Sequence, residues 1–117
     1  MTRTEREAFG RWGERRAAWW LRLKGWRIIA TRVKVRAGEI DLVARRGRTT
    51  AFIEVKARNQ AADLDLAIDD YRLRRVAAAV NAVSHLHARA GDDIRIDVML
   101  IAPGRWPRHL VNVWYGR

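Results

Sequence analysis

Hydrophobic and polar residues recur with two different periods along the chain, and each period predicts one type of element. Apolar residues follow helical spacing from about residue 4 to 24, just before Gly25, which predicts an amphipathic helix. An alanine-rich stretch from about residue 67 to 90, closed by Gly91, predicts a second helix. Elsewhere apolar and polar residues alternate, as is typical of half-buried strands.

The alternating stretches predict five strands within one globular domain of residues 1–117. The second and third strands form a hairpin with a glycine-bearing basic turn at residues 45–48, and a polar, mobile loop is expected at residues 58–65. The strands are predicted at residues 26–35, 38–44, 49–57, 94–101 and 110–114. The order is α-β-β-β-α-β-β, which predicts an α/β fold.

The hairpin carries the most informative polar residues. Asp41 lies on its first arm, and Glu54 and Lys56 lie on its second arm. Because side-chain direction alternates along a strand, Glu54 and Lys56 share one face, while Ile40 and Leu42 are expected to share the face opposite to Asp41. If the arms pair so that their apolar faces coincide, Asp41 comes within cross-strand reach of Glu54 or Lys56.

Two carboxylates held close together repel each other unless a cation neutralises them. Mg²⁺ suits that position, because it binds oxygen ligands and leaves some coordination positions to water and substrate phosphate. Asp41 and Glu54 are therefore candidate metal ligands, and Lys56 is a candidate for positioning the nucleophile or stabilising the transition state. The pattern alone also fits the solvated face of an ordinary hairpin with an Asp41–Lys56 ion pair.

The first helix brings in a further acid. Glu14 falls on the same face as Ala17 and Leu21, which is the small and apolar face expected against the sheet. A carboxylate there needs a partner. That partner is either a metal or Lys56, or, if the helix is rotated, a surface arginine such as Arg15.

The charge of the chain favours nucleic acid as a partner. Twenty-four Lys and Arg against thirteen Asp and Glu leave a net charge of +11 over 117 residues, and such a field attracts polyanions. A merely solubilising arginine-rich surface is the alternative. The chain has six tryptophans, of which Trp12 and Trp19, on one helical stripe, are predicted to pack in the core. The residues expected to contact nucleic acid are Arg45, Arg46, Arg48, Arg58, Arg72 and Trp106.

Other classes of site are disfavoured. The chain has no cysteine, which excludes disulfides, thiolate metal sites and thiol nucleophiles. The three histidines have no zinc-binding spacing. The sequence has no apolar run long enough for a membrane span and no signal-peptide pattern, so a cytoplasmic protein without a membrane partner is expected.

The motifs along the chain resemble the YraN family of uncharacterised bacterial proteins. That family belongs to the PD-(D/E)XK nuclease-like superfamily, related in fold to archaeal Holliday-junction resolvases and to the tRNA-splicing endonuclease domain. The resemblance implies a restriction-endonuclease-like αβββαβ core, in which helices flank a mixed central sheet. It is carried by Gly13-Glu14-x-x-Ala17, Gly38-Glu39-Ile40-Asp41-Leu42-Val43, Phe52-Ile53-Glu54-Val55-Lys56-Ala57-Arg58 and Arg95-Ile96-Asp97-Val98.

The resemblance also implies roles for individual residues. Asp41 would be the central metal-binding acid, Glu54 the second acid, Lys56 the motif lysine and Glu14 the acid from the first helix, with Glu39 as an extra ligand. Related sequences carry a lysine early in the second helix. Here the nearest counterpart is Arg72, which cannot act as a base and is expected to contact phosphate or to anchor a neighbour.

The predicted function is a DNA endonuclease dependent on Mg²⁺ or Mn²⁺, with branched or single-stranded intermediates of recombination or repair among its candidate substrates. One alternative is a non-catalytic nucleic-acid-binding module that keeps the nuclease fold. Another is an RNA-directed nuclease or a ribosome-associated factor. DNA is favoured over RNA, and a homodimer is left open, because two symmetric strand cuts call for two sites.

Overall fold

A computed structural model describes residues 1–66 and 69–114 of the chain. The predicted order of helices and strands is confirmed, and a short 3₁₀ helix, Ala61–Leu66, lies where the polar loop was predicted. No helix among these residues is long and apolar enough to cross a membrane. The elements are α1 (Arg3–Leu23), β1 (Arg27–Val35), β2 (Gly38–Arg46), β3 (Thr49–Ala57), α2 (Asp70–His87), β4 (Asp93–Ile101) and β5 (Arg108–Leu110).

The five strands form one mixed sheet in the order β1-β2-β3-β4-β5. Only β3 and β4 are parallel, and α2 supplies the crossover that a parallel pair requires. The two helices cover opposite faces and bury separate apolar clusters. The α1-side cluster includes Ala17, Leu21, Leu42, Ile53 and Met99, and the α2-side cluster includes Ile40, Val43, Phe52, Val76 and Val98.

Helix α1 begins at a capping box and lies very close to the sheet. The Thr2 hydroxyl accepts a hydrogen bond from the Glu5 N–H at 3.1 Å, and the Glu5 carboxylate accepts one from the Thr2 N–H at 2.8 Å. A Cβ atom at Gly13 would lie 2.7 Å from the Cβ of Ala57 on β3. Glycine at position 13 therefore allows the close approach that brings the first half of α1 to the end of β3.

Helix α2 is shorter than predicted at its C-terminal end. Its N-cap is Asp69, whose carboxylate accepts a hydrogen bond from the Tyr71 N–H at 2.9 Å. Residues 67 and 68, where the helix was predicted to begin, lie outside the described residues. The helix ends at His87 rather than at residue 90, because Ala88 already has extended backbone angles.

The last strand was predicted at residues 110–114, but β5 comprises Arg108–Leu110. Beyond it, Asn112 has a left-handed φ of 52° and its N–H donates to the Asp97 carboxylate at 2.8 Å. The His109 Nε2 atom lies 2.7 Å from the same buried carboxylate, and Arg95 donates to it at 2.9 Å. Burial alone would raise the pKa of Asp97, but these donors hold that pKa below its ordinary value. Asp97 thus fastens the end of the chain to β4.

The hairpin departs from strict alternation beside Asp41. Ile40 packs in the α2-side cluster, whereas Leu42 packs in the α1-side cluster, so the predicted shared face of these two residues is wrong. Ile40 and Val43, three positions apart, instead pack in the same cluster. The strand therefore changes face next to Asp41.

Strand β1 changes face at the same level. Ala30 and Val33, also three positions apart, both pack against the α2-side cluster. Between them lies Arg32, whose left-handed φ of 50° is uncommon for a residue other than glycine. Because Val33 pairs with Ile40, this bend lies across from Asp41 and shapes the backbone beside it.

Candidate active site

The acids and the lysine singled out in the hairpin converge on one pocket. It has a volume of about 470 Å³ and lies among the first half of α1, the start of β2, the end of β3 and the first turn of α2. Both helices thus contribute to a site built around the hairpin. The pocket is lined by residues that include Glu14, Glu39, Asp41, Glu54, Lys56, Arg58 and Arg72.

Asp41 and Glu54 form a buried acid pair. The pairing of Leu42 with Ile53 brings the preceding and following residues, Asp41 and Glu54, side by side. Asp41 is 5% exposed and Glu54 is 1% exposed. The Asp41 Oδ2 atom accepts a hydrogen bond from the Val55 N–H at 2.8 Å, and its carboxyl group also hydrogen-bonds to Glu54.

The acid pair shares a proton at neutral pH. Burial, together with the adjacent Glu54 carboxylate, raises the pKa of Asp41 to about 9. Burial would also raise the pKa of Glu54, but hydrogen bonds from Asp41 and Arg72 and the charge of Lys56 lower it below its ordinary value. The protonated Asp41 therefore lies against an ionised Glu54, and the pair carries one negative charge.

Lys56 lies beside this pair. Its Nζ atom is 3.9 Å from the Glu54 Oε2 atom, and its side chain is half-buried. Burial lowers the pKa of Lys56, and the nearby Arg72 and Arg58 charges lower it further, against the opposing effect of Glu54. Lys56 forms its ion pair with Glu54 on its own strand rather than with Asp41, so a simple cross-strand Asp41–Lys56 bridge does not describe this site.

Arg72 takes the position expected of an anchor. It lies in the first turn of α2, and its Nε atom donates to the Glu54 Oε2 atom at 2.5 Å. The same carboxylate oxygen faces the ammonium of Lys56. Arg72 thus fixes the direction of Glu54 and compensates its buried charge.

Glu14 faces the pocket but bonds to a residue that the sequence did not point to. The Arg32 Nε atom donates to the Glu14 Oε1 atom at 3.0 Å, so the partner is neither Lys56 nor an arginine of α1. Arg32, which makes this contact, is also the residue at which β1 bends through a left-handed backbone conformation. An arginine in the middle of a predicted strand gave no local signal of such a bend.

The donor set fits a hard dication held by two carboxylates. Asp41 and Glu54 offer oxygen ligands on one side of an open pocket, and such ions commonly take their remaining ligands from water and substrate. Glu39 lines the same pocket. Within the described residues there is no group of three or more His, Cys, Asp or Glu side chains that could hold a metal, so Glu39 does not complete a three-carboxylate cluster.

The basic turn of the hairpin is at the other end of the sheet. From Asp41 to Gly47 the strand rises about 20 Å at roughly 3.3 Å per residue. There Arg45 forms an ion pair with Asp92, and the Arg46 guanidinium lies 4.6 Å from the Trp26 ring centroid. Three of the predicted nucleic-acid contacts, Arg45, Arg46 and Arg48, therefore lie away from the pocket. The guanidinium of Arg45 is already bound to the Asp92 carboxylate.

Of the remaining predicted contacts, two lie in the pocket and one lies in a loop. Arg58 and Arg72 line the pocket itself. Trp106 lies in the loop after β4, where its ring is 74% exposed and its centroid is 5.6 Å from that of Trp20.

The fold matches that of a known resolvase. The structure of Hjc from Archaeoglobus fulgidus, described as a Holliday junction resolvase from an archaeal hyperthermophile, aligns with a TM-score of 0.56. The alignment covers 84% of this chain and 72% of that chain at 22% sequence identity. The chain therefore shares the fold of that resolvase, a mixed sheet with helices on both faces, in agreement with the fold that the sequence resemblance implied.

The chain belongs to the uncharacterised protein family UPF0102, whose model matches residues 13–101. A UPF0102 protein of Sphingopyxis alaskensis is 70% identical over 114 residues, covering 97% of this chain and 98% of the relative. A UPF0102 protein of Rhizorhabdus wittichii is 60% identical over 115 residues, covering 98% of each chain. The resemblance to the YraN family is thereby confirmed.

Proposed function

We propose that this chain is a metal-dependent endonuclease that hydrolyses phosphodiester bonds in DNA. The observation that supports this function best is the buried Asp41–Glu54 pair beside Lys56 in an open pocket, where burial raises the pKa of Asp41. A purely structural hairpin has no need of two adjacent buried carboxyl groups, whose repulsion costs stability at pH values where both would ionise. Strongly perturbed acids in a cleft are typical of catalytic sites.

Each residue of the pocket has a distinct role in this proposal. Asp41, after losing its proton, and Glu54 would together hold a Mg²⁺ or Mn²⁺ ion, which when bound would supply an activated water and screen the charge of the scissile phosphate. The Lys56 amine, which lies 3.9 Å from a Glu54 oxygen, would hold the attacking water or a phosphate oxygen. Arg72 keeps the Glu54 carboxylate oriented, and Arg58 adds positive charge at the pocket wall.

DNA is the favoured substrate for two reasons. The net charge of +11 provides attraction to a phosphate backbone. The fold matches that of Hjc, which is described as a resolvase of Holliday junctions. Branched or single-stranded DNA is accordingly the first substrate class to examine, with RNA as the alternative.

The test is a cleavage assay on labelled duplex, single-stranded, flap and four-way DNA and on matched RNA, each with Mg²⁺, Mn²⁺ or EDTA. Cleavage is expected with either metal and not with EDTA. Asp41→Asn, Glu54→Gln and Lys56→Ala should each lower the rate by at least about a hundredfold. Asp93→Asn serves as the control, because this exposed acid lies at the opposite end of the sheet and should cut like the wild type. Undiminished cleavage by the three pocket variants would remove the proposed function.

One contact favours the non-catalytic alternative. Arg72 already occupies a Glu54 oxygen at 2.5 Å, as a permanent counterion would. If the protein binds DNA in a salt-sensitive way, but neither metal raises its melting temperature nor supports cleavage of any substrate, the module is a binding domain with a nuclease fold.

A further inference from the structure

Aromatic rings and a cation follow one another along α1, starting from Phe9 at the pocket. Phe9, Trp12, Arg16 and Trp19 are three or four residues apart and Trp20 is four residues after Arg16, so the five side chains lie along one broad stripe of the helix. We call this stripe, together with a tryptophan from the loop after β4, the aromatic track. It consists of Phe9, Trp12, Arg16, Trp19, Trp20 and Trp106.

Successive members of the aromatic track lie in contact. The rings of Phe9 and Trp12 are stacked with centroids 5.2 Å apart and an interplanar angle of 19°. The Arg16 guanidinium follows, 5.6 Å from the Trp12 centroid and 5.9 Å from that of Trp19. Trp20 continues the series at 6.4 Å from Trp19. Rings alternating with a guanidinium are what stacked bases and phosphates require of a protein surface.

Core packing does not account for the whole track. Trp12 and Trp20 are half-buried and pack against the α1-side cluster. Trp19, which was predicted to lie in the core, is 46% exposed, and Trp106 is 74% exposed. Each exposed indole forfeits free energy of burial, and exposed apolar groups that lie next to one another are typical of interaction surfaces.

The cations beside the track are available to bind anions. Among the ion pairs of the described residues, none involves Arg15, Arg16, Arg22 or Lys24. Lys24 instead lies over the Trp20 ring, with its Nζ atom 4.6 Å from the centroid. Positive charges interleaved with exposed rings favour a partner that presents both phosphates and flat apolar rings.

The track leads into the candidate active site. Phe9 lines the pocket together with Glu14, and Trp20 is three turns further along α1. At a rise of 1.5 Å per residue, the stripe from Phe9 to Trp20 is about 17 Å long, enough for several stacked bases. A strand lying on the track would reach the acid pair without crossing the sheet.

We propose that the aromatic track binds a single strand of nucleic acid through base stacking and delivers it to the pocket. The delivery rests on the proposed nuclease function, whereas the binding does not. A paired duplex has its bases stacked on each other, so the rings of the track would have no free base faces to contact. A second copy of this chain is a less suitable occupant, because two surfaces with the same excess of arginine repel each other.

The test is fluorescence anisotropy of a labelled thymidine oligonucleotide, an RNA of uridine and a DNA duplex of equal length, all in EDTA. A double variant with Trp19→Ala and Trp106→Ala is expected to bind both single strands at least about fivefold more weakly while duplex affinity is unchanged. Restoring aromatic rings with Trp19→Phe and Trp106→Phe should recover most of the affinity. Replacing both tryptophans by leucine should not, since leucine keeps apolar area without a stacking face.

Leu86→Ala is the matched control, because Leu86 is an exposed apolar residue on α2, away from the track. Circular dichroism and thermal melting verify that every variant is folded. Single-strand affinity equal to the wild type in the double alanine variant overturns the proposal. So does a change from dimer to monomer in sedimentation with affinity unchanged, which would make the stripe a self-association surface.

The outcomes separate this proposal from the nuclease function. If no metal supports cleavage but the double variant loses single-strand affinity, the nuclease function fails and the track stands. If cleavage is found while the double variant binds like the wild type, the reverse holds.

Discussion

The proton between Asp41 and Glu54 makes the acid pair respond to pH in a predictable direction. In the folded protein burial raises the pKa of Asp41 to about 9, from an ordinary value of 3.8. Between these pH values the folded state holds a proton that the unfolded chain has lost. Stability contributed by Asp41 is therefore greatest below pH 4 and declines as the pH rises towards 9. The lowered pKa of Glu54 affects the free energy of unfolding only at acidic pH, where protonation of the Glu54 carboxylate lowers stability.

Asp41→Asn should abolish this pH dependence. The amide keeps an acceptor for the Val55 N–H and a donor for Glu54, but it does not titrate. In EDTA the stability of the variant relative to the wild type should rise from pH 6 to pH 8 by up to about 1.4 kcal/mol for each pH unit. Urea denaturation at both pH values measures the difference. Parallel stability curves would show that Asp41 is ionised in the folded protein.

At this scale the sequence could predict which residues meet, but not their protonation. Pairing of the two hairpin arms brings Asp41, Glu54 and Lys56 within reach of each other, although strict alternation fails at Ile40. The shared proton depends on burial by both helices, and the Arg72 contact depends on where α2 docks. The Glu14–Arg32 hydrogen bond depends on the left-handed backbone of Arg32, and no glycine beside Arg32 in the sequence indicates that conformation.

The elements owe their arrangement to a few close approaches. Gly13 lets α1 contact β3, and this contact sets the distance from Glu14 and the aromatic track to the hairpin acids. Gly10, one turn earlier on the same helix, has no atom within 4 Å of the position that a Cβ would take. Gly13 is therefore required by the packing of α1 on β3, whereas Gly10 has room for a side chain.

Gly13→Ala should destabilise the protein by about 1–3 kcal/mol, because the added methyl group would lie 2.7 Å from the Ala57 Cβ and push α1 off the sheet. Gly10→Ala should stabilise it by about 0.5–1 kcal/mol through helix propensity alone. Urea midpoints of the two variants and the wild type provide the comparison. Equal effects of the same sign would mean that α1 is not pressed against β3.

The predictability of the elements follows from how local their causes are. The hairpin and both helices were evident from the hydrophobic period and from the glycines that follow each helix and form the hairpin turn. The change of face beside Asp41 was not evident from the sequence, because it accompanies a bend at Arg32 in the neighbouring strand β1. The length of β5 was not evident either, since the Asn112 N–H donates to the Asp97 side chain on β4 instead of to a backbone carbonyl of the sheet.

For the molecule as a whole, charge is abundant at both ends of the sheet, but only one end holds the pocket. Arg58 lines the pocket, while Arg48 lies in the hairpin turn at the far end. A uniform electrostatic attraction would use both arginines equally. Of these two arginines, a nucleic-acid strand bound along α1 and into the pocket would contact only Arg58.

Arg58→Ala should therefore lower the salt dependence of single-strand binding by about one phosphate contact, or roughly 0.7 in the slope of log K against log salt. Arg48→Ala should leave that slope near the wild-type value. Anisotropy titrations over a salt series in EDTA give both slopes. A larger effect of Arg48→Ala would relocate the nucleic acid to the hairpin turn.

The bend at Arg32 has a further consequence for solubility at high concentration. In the described part of the chain β1 has β2 on one side and no strand on the other, and such a margin invites another molecule to extend the sheet. The left-handed residue interrupts the flat margin, and the charged side chains of Arg27 and Lys34 flank it. The irregularity that shapes the backbone around Asp41 thereby also guards the molecule against edge-to-edge aggregation.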